Sequence, residues 1–298
     1  MALKSLSEAL GLLAKKPLVW MPGFFAAFAI LLTYYMYSLF GMGVAFPVGI
    51  TLLVIMPAFL AGTYGIVIGD KATPAAFRKY AVYGYIRCLM PTIILLMIGW
   101  ILATALTYLL MTFGLSVAVG YYFSTFVIIP LLFFCYFADI TAVVNNLPAF
   151  RAIKDSAVRV TNGAVSSMVF YIFNVVILLA ASMFYSLICS LLTVDVASPL
   201  FEMNETQLIA LSQSAEFETE LLALVSTPEI ISAAIISLAI TACIFVPIFV
   251  VYKACFYKRL LVMNMMPEAA NKEHQGGKGD QGNLGGSFDE KGRWYKYS

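Results

Sequence analysis

Six long apolar runs alternate with short polar segments along this chain. Each run has roughly 20 residues or more, the length of an α-helix that crosses the hydrocarbon core of a bilayer. The runs cover residues 18–40, 44–69, 89–113, 115–138, 164–192 and 230–255. The pattern therefore predicts an all-α integral membrane bundle of six transmembrane helices.

Three of the polar segments carry apolar side chains at helical spacing, and each precedes a pair of predicted spans. The apolar stripes are Leu3, Leu6, Leu10 and Leu13; Phe77, Ala81, Tyr85 and Cys88; and Phe150, Ile153, Ala157 and Val160. We infer three pseudo-repeats of roughly 70 residues, each an amphipathic helix followed by a two-span hairpin. These helices either lie on the lipid surface, held by apolar burial and anionic lipid, or form a cytoplasmic docking platform.

Two strings in the amphipathic segments carry a family resemblance. They are SEALGLLAKKPL at residues 7–18 and PAFRAIKDS at residues 148–156, the latter continuing to Asn162 and Gly163. The chain resembles, over roughly residues 1–260, a broad group of prokaryotic, notably archaeal, membrane proteins of uncharacterised function. That group is related to the membrane domain found beside glycerophosphodiester phosphodiesterases. The resemblance implies a polytopic membrane fold and no catalytic residue, and we expect no phosphodiesterase activity because no such domain is present in this sequence.

Basic residues are confined to one side of the predicted membrane. All 18 Lys and Arg residues fall within residues 1–17, 70–88, 139–163 and the stretch after 251. Nine acids share these segments, a net charge of +9, whereas the seven acids between the fifth and sixth runs give the other side −7. The positive-inside rule makes the basic side cytoplasmic. We therefore expect a multi-pass protein of the cell (plasma) membrane with both termini in the cytoplasm.

The composition, 62% hydrophobic and 11% charged, provides few polar residues for a catalytic site in aqueous solution. None of the six predicted runs carries an ionisable residue well inside it, which argues against a proton-coupled carrier. The single histidine, His274, lies in the polar tail, and neither a Cys-x-x-Cys pair nor a nucleotide-binding or hydrolase motif occurs. We predict no catalytic or metal site, no cofactor, no enzymatic activity and no nucleic-acid partner. Asn174 is the candidate for lining a neutral cavity.

Three regions follow from these patterns. Residues 1–260 form the six-span membrane domain, and within it the acidic segment 193–229 is an extracytoplasmic loop. That loop contains the sequon Asn204-Glu205-Thr206, so Asn204 is a candidate glycosylation site. Residues 261–298 form a flexible Gly-rich cytoplasmic tail. Its aromatic terminus is unusual for a disordered segment and is a candidate partner-docking peptide, with the side chains Phe288, Trp294, Tyr295 and Tyr297.

These features favour a membrane scaffold, an assembly factor or adaptor. Its partners would be membrane lipids and a cytoplasmic or membrane protein bound through the C-terminal tail. One alternative is a small-molecule or lipid transporter with a neutral intramembrane site near Asn174. Another is the membrane subunit of a lipid-handling enzyme whose catalytic chain is separate.

Overall fold

The computed structural model describes residues 1–69, 72–201, 226–273, 286–288 and 294–296. In these ranges the chain forms nine α-helices, one 3₁₀ turn (Pro17–Trp20) and two short antiparallel strands. The helices are α1 (Ala2–Lys15), α2 (Met21–Phe40), α3 (Met42–Ile68), α4 (Pro74–Thr112), α5 (Val117–Cys135), α6 (Ala138–Val144), α7 (Ala149–Asn162), α8 (Ala164–Phe201) and α9 (Pro228–Glu273). The strands are β1 (Gly286–Phe288) and β2 (Trp294–Lys296).

Six helical stretches are long and apolar enough to cross a membrane, which confirms the predicted all-α membrane bundle. They are Pro17–Phe40, Met42–Ile68, Pro74–Thr112, Val117–Val144, Ala164–Val194 and Pro228–Val262. Large apolar side chains such as Trp100, Phe126 and Met183 lie exposed on these helices. Exposed apolar surface of this kind suits contact with lipid chains, because the helical backbone satisfies its own hydrogen bonds.

Local sequence explains where several helices begin. The Thr73 hydroxyl accepts a hydrogen bond from the backbone N–H of Ala76, and Pro74 occupies the first turn of α4. Ser116 caps α5 in the same way through the N–H of Val119. The turns before α3 and after α4 contain Gly41 and Gly114 at φ values of 71° and 78°, a conformation that glycine adopts without strain.

The second predicted amphipathic helix is not a separate element. Residues 74–88 form the first turns of α4, which continues without interruption to Thr112. Phe77 and Phe150, which occupy matching positions in similar strings, also differ in environment. Phe77 packs on Phe59 with ring centroids 6.3 Å apart, whereas 72% of Phe150 is exposed. Only the first and third copies therefore have a free-standing amphipathic helix.

The faces that α1 and α7 bury differ from the predicted apolar stripes. Helix α1 buries Ala2, Ser5, Ala9 and Leu13, and α7 buries Ala152, Ser156 and Val160. Leu3, Leu10 and Phe150 of the predicted stripes lie exposed, whereas Leu13 and Val160 of the same stripes are buried. Small side chains let these helices approach the rest of the protein closely, and the same spacing of three, four and four residues recurs from Ala2 and from Ala149. Several of the larger apolar residues are left on the outer face.

The chain divides into two compact units. The first comprises Met1–Met21, Val54–Phe173 and Ile248–Ser298, and the second comprises Pro22–Leu53 and Asn174–Pro247. Helices α3, α8 and α9 contribute residues to both. The core of the first unit is aromatic: the ring centroid of Phe170 lies 4.3 Å from that of Phe256 and 4.7 Å from that of Tyr252. In this core, Phe170 of α8 packs against Tyr252 and Phe256 of α9.

In the second unit, a close helix contact and a hydrogen bond join α2 to α9. A Cβ atom at Gly23 would collide with the carbonyl oxygen of Cys243 and the ring of Pro247, so glycine permits α2 to approach α9. Farther along the same pair of helices, the Tyr34 and Ser232 hydroxyls are hydrogen-bonded at 2.7 Å.

Candidate functional site: a buried ion pair beside a helix break

The fourth span is interrupted. Helix α5 ends at Cys135 and α6 begins at Ala138, with a turn between them. The Ser156 hydroxyl of α7 donates to the carbonyl oxygen of Phe134 at 2.9 Å and accepts from the N–H of Phe137 at 3.2 Å. The Tyr171 hydroxyl of α8 donates to the carbonyl of Phe133 at 2.6 Å. Because unpaired backbone groups are costly in an apolar protein interior, these side chains make the break stable.

An ion pair lies immediately after the break. Lys253 of α9 donates to both carboxylate oxygens of Asp139 in the first turn of α6, at 2.7 and 2.9 Å. The Tyr64 hydroxyl of α3 donates to the same carboxylate at 2.9 Å, and the N–H of Ile140 does so at 2.8 Å. Only 8% of Lys253 is exposed. The pair therefore links α3, α6 and α9 inside the first unit.

Two aromatic rings also face the Lys253 ammonium group. Its nitrogen lies 4.3 Å from the ring centroid of Tyr136 and 5.8 Å from that of Tyr64. The negative face of an aromatic ring attracts a cation, most strongly where water is excluded. The charge of Lys253 is thus balanced by one carboxylate and supported by two rings.

Two further polar contacts reach the same part of α9. Asn145 donates to the Tyr257 hydroxyl at 3.1 Å and to Asp155 at 3.3 Å, and Asp155 pairs with Arg159 at 2.7 Å. Near the N-terminus, Glu8 of α1 pairs with Arg259 of α9 at 2.7 Å. Contacts from α1, from the α6–α7 region and from α3 therefore converge on the short stretch of α9 between Lys253 and Arg259.

A largely buried acid and a largely buried base lie within the candidate spans, although the predicted apolar runs carry no charged residue well inside them. Asp139 and Lys253 fall within the stretches Val117–Val144 and Pro228–Val262, where their side chains are 12% and 10% exposed. Both residues stand at the ends of the predicted apolar runs, where a charge indicates a position outside the membrane. A usable signal was present, since each is a lone charge among aromatic and aliphatic neighbours, in Phe-Ala-Asp-Ile and Tyr-Lys-Ala-Cys.

The cluster is suited to holding helices together rather than to binding a ligand. The carboxylate of Asp139 accepts four hydrogen bonds, so its acceptor capacity is used within the protein. Within the described part of the chain, no group of three or more His, Cys, Asp or Glu side chains could hold a metal ion. A satisfied polar network of this kind makes a core rigid and specifies one arrangement of its helices.

The residues predicted from sequence as functional lie elsewhere. Asn174 is partly buried in α8, in the second unit, and takes part in interactions there. Phe288 lies in β1, opposite Trp294 in the register of the strand pair, and Tyr295 lies opposite Ser287 in the same pair. Asn204 and Tyr297 are outside the described residues. The cavity, docking and glycosylation roles stay predictions, as do the three predicted domain boundaries.

Comparison of the chain with family models, with curated proteins and with solved structures finds no match.

Proposed function

We propose that this chain is a non-enzymatic membrane scaffold or adaptor, which binds its partner through the C-terminal segment that follows α9. The observation that supports the proposal is the convergence of contacts on α9. Lys253, Tyr257 and Arg259 are each held by a different part of the first unit. A helix restrained at three points along roughly two turns has little freedom to tilt or rotate there.

The burial of α9 supports the same proposal. Residues 250–257 and Leu260 are buried, and Lys258 and Arg259 are partly exposed. Val262, after them, is exposed. The helix then continues to Glu273. A restrained stretch of α9 would hold the start of the C-terminal segment at one place on the first unit, from which the Gly-rich tail, predicted from sequence to be flexible, can reach a partner.

The proposal includes the orientation of the chain in the membrane and the membrane in which it lies. The segregation of basic residues supports a cytoplasmic position for both termini. The partner would then be a cytoplasmic protein, or the cytoplasmic part of a membrane protein, and the host membrane the cell (plasma) membrane of an archaeon or another prokaryote.

Affinity purification in a mild detergent tests the proposal. The full chain would be compared with a chain that ends before Gly276 and with a full-length variant in which Phe288, Trp294, Tyr295 and Tyr297 are changed to serine. We expect a stoichiometric partner with the full chain and its loss from both variants. If all three forms purify alone and carry the same small molecule or lipid, the scaffold proposal is wrong.

A transporter is the second candidate, and the broken fourth span favours it. Interrupted helices and buried ionisable residues inside spans commonly mark transport sites. The test is uptake into sealed vesicles under an imposed proton or sodium gradient. A transporter would lose gradient-dependent uptake in the charge-free variant Asp139→Leu/Lys253→Met, whereas a scaffold would show no such uptake in either form.

A further inference from the structure

Helix α7 is constrained to the membrane surface by its connections. Four residues separate it from α6 and one residue, Gly163, separates it from α8. Both neighbours belong to candidate spans, Val117–Val144 and Ala164–Val194. A 14-residue helix is about 21 Å long. Connections this short keep α7 beside the ends of the two spans, and its amphipathic character favours a position at the depth of the lipid headgroups.

The outer face of α7 combines apolar and basic side chains. Phe150 is 72% exposed and Val158 is 47% exposed. Arg151 and Lys154 lie between them on the same exposed face. At 100° per residue, these four positions fall within an arc of about 100°, opposite the buried face of Ala152, Ser156 and Val160. The arc contains no acidic residue.

The one acid of α7, Asp155, lies about 40° outside this arc at 100° per residue. Asp155 pairs with Arg159 and accepts a hydrogen bond from Asn145, which also contacts Tyr257 of α9. The negative charge of Asp155, which is 30% exposed, is therefore compensated by Arg159 of the same helix. The charges of Arg151 and Lys154 remain on the outer face, where they create a positive surface beside exposed apolar groups.

Helix α1 repeats this arrangement. Leu3 and Lys4 occupy the positions that correspond to Phe150 and Arg151, and both are exposed. Its acid, Glu8, corresponds to Asp155 and also points to α9, where it pairs with Arg259. Two helices distant in sequence thus bury a small-residue face, pair one acid with an Arg and leave an apolar and a basic residue exposed side by side. The positions that match Lys154 and Val158 are Ser7 and Gly11 in α1, so the full arc occurs in α7.

We infer that the outer arc of α7, formed by Phe150, Arg151, Lys154 and Val158, is a binding site for anionic phospholipid. Its basic groups are placed to contact the lipid phosphate while Phe150 and Val158 enter the upper acyl chains. Charge complementarity selects anionic over zwitterionic headgroups. The inference goes beyond the scaffold proposal and does not rest on it, because it concerns the chain without a partner.

Native mass spectrometry of the full chain tests the site. The protein, purified in mild detergent, would be incubated with equal amounts of phosphatidylglycerol and phosphatidylcholine that carry identical acyl chains. We expect wild type to retain phosphatidylglycerol preferentially. In Arg151→Gln/Lys154→Gln, affinity for phosphatidylglycerol should fall about fivefold for each basic side chain removed, with phosphatidylcholine retention unchanged.

Two matched variants distinguish binding at a site on α7 from a general effect of the protein's positive charge. Arg151→Lys/Lys154→Arg keeps both charges and should retain the preference. Arg78→Gln/Arg87→Gln removes two exposed charges from α4 and should retain it as well. Equal losses in the α4 and α7 double variants, an unchanged Arg151→Gln/Lys154→Gln variant, or a wild type without preference would each overturn the inference. The single variants Arg151→Gln and Lys154→Gln, expected to be intermediate, provide the test if the double variant is not monodisperse.

Discussion

At the scale of single residues, a substitution in the Asp139 and Lys253 pair should have a large effect on the free energy of unfolding. Both side chains lie in apolar surroundings, where an ion pair is costly to desolvate. Removing one partner leaves the other charge uncompensated, whereas replacing both with apolar side chains removes the electrostatic problem. The two kinds of change therefore separate the coupling between the residues from the packing of their side chains.

Lys253→Met should lower the free energy of unfolding by about 3–5 kcal/mol, because Asp139 then remains buried without its cation. The double variant Asp139→Leu/Lys253→Met should recover most of that loss. Unfolding in a detergent titration, followed by circular dichroism, measures both. Arg259→Met is the matched control, since its pair with Glu8 is one-third exposed and should contribute only about 0–1 kcal/mol. Equal losses in the single and double variants would show that the pair is not coupled.

At the scale of elements, the break between α5 and α6 and the rotated faces of α1 and α7 could not be predicted from apolar periodicity. The run that contains the break is uniformly apolar, and its only proline, Pro130, lies inside α5 rather than at the break. What permits the turn is a hydroxyl from another helix, Ser156. Periodicity does locate α1 and α7, but it does not show which apolar residues pack on the protein, because lipid accepts large apolar side chains as well.

Ser156→Ala should loosen the break, since the carbonyl of Phe134 and the N–H of Phe137 both lose their partner. We expect a loss of about 1–3 kcal/mol in unfolding free energy. Hydrogen exchange should also become faster at the amide of Phe137. Ser182→Ala is the control, because that exposed hydroxyl bonds only to a carbonyl of its own helix, Leu179. Unchanged exchange at Phe137 in Ser156→Ala would show that the serine does not hold the turn.

At the scale of the whole molecule, membrane crossing follows from run length and composition, and the six predicted runs correspond to the six candidate spans. The structure extends several of their ends, most of all the start of α4 and the end of α9, because an amphipathic or basic stretch continues the same helix beyond the apolar run. Sidedness rests on the positions of the charged residues, and it can be measured directly.

Cysteine labelling in cells tests the predicted orientation. In a variant whose five native cysteines are replaced by alanine, single cysteines would be introduced at Ser7 in α1, at Thr161 in α7 and at Phe113 after α4. A membrane-impermeant maleimide should label Phe113→Cys in intact cells, and Ser7→Cys and Thr161→Cys only after permeabilisation. The reverse pattern would place the termini outside, and labelling of all three in intact cells would contradict the six-span topology.

The membrane-spanning character, the number of spans and the segregation of charge can be predicted from the amino-acid sequence alone. These properties are local: each apolar run satisfies its backbone polar groups by forming its own helical hydrogen bonds, independently of the other runs. The fold was needed to show that Asp139 contacts Lys253, 114 residues away, that Ser156 supports the helix break, and which faces of α1 and α7 are buried. Those outcomes depend on which distant side chains share one apolar interior, where every polar group requires a partner.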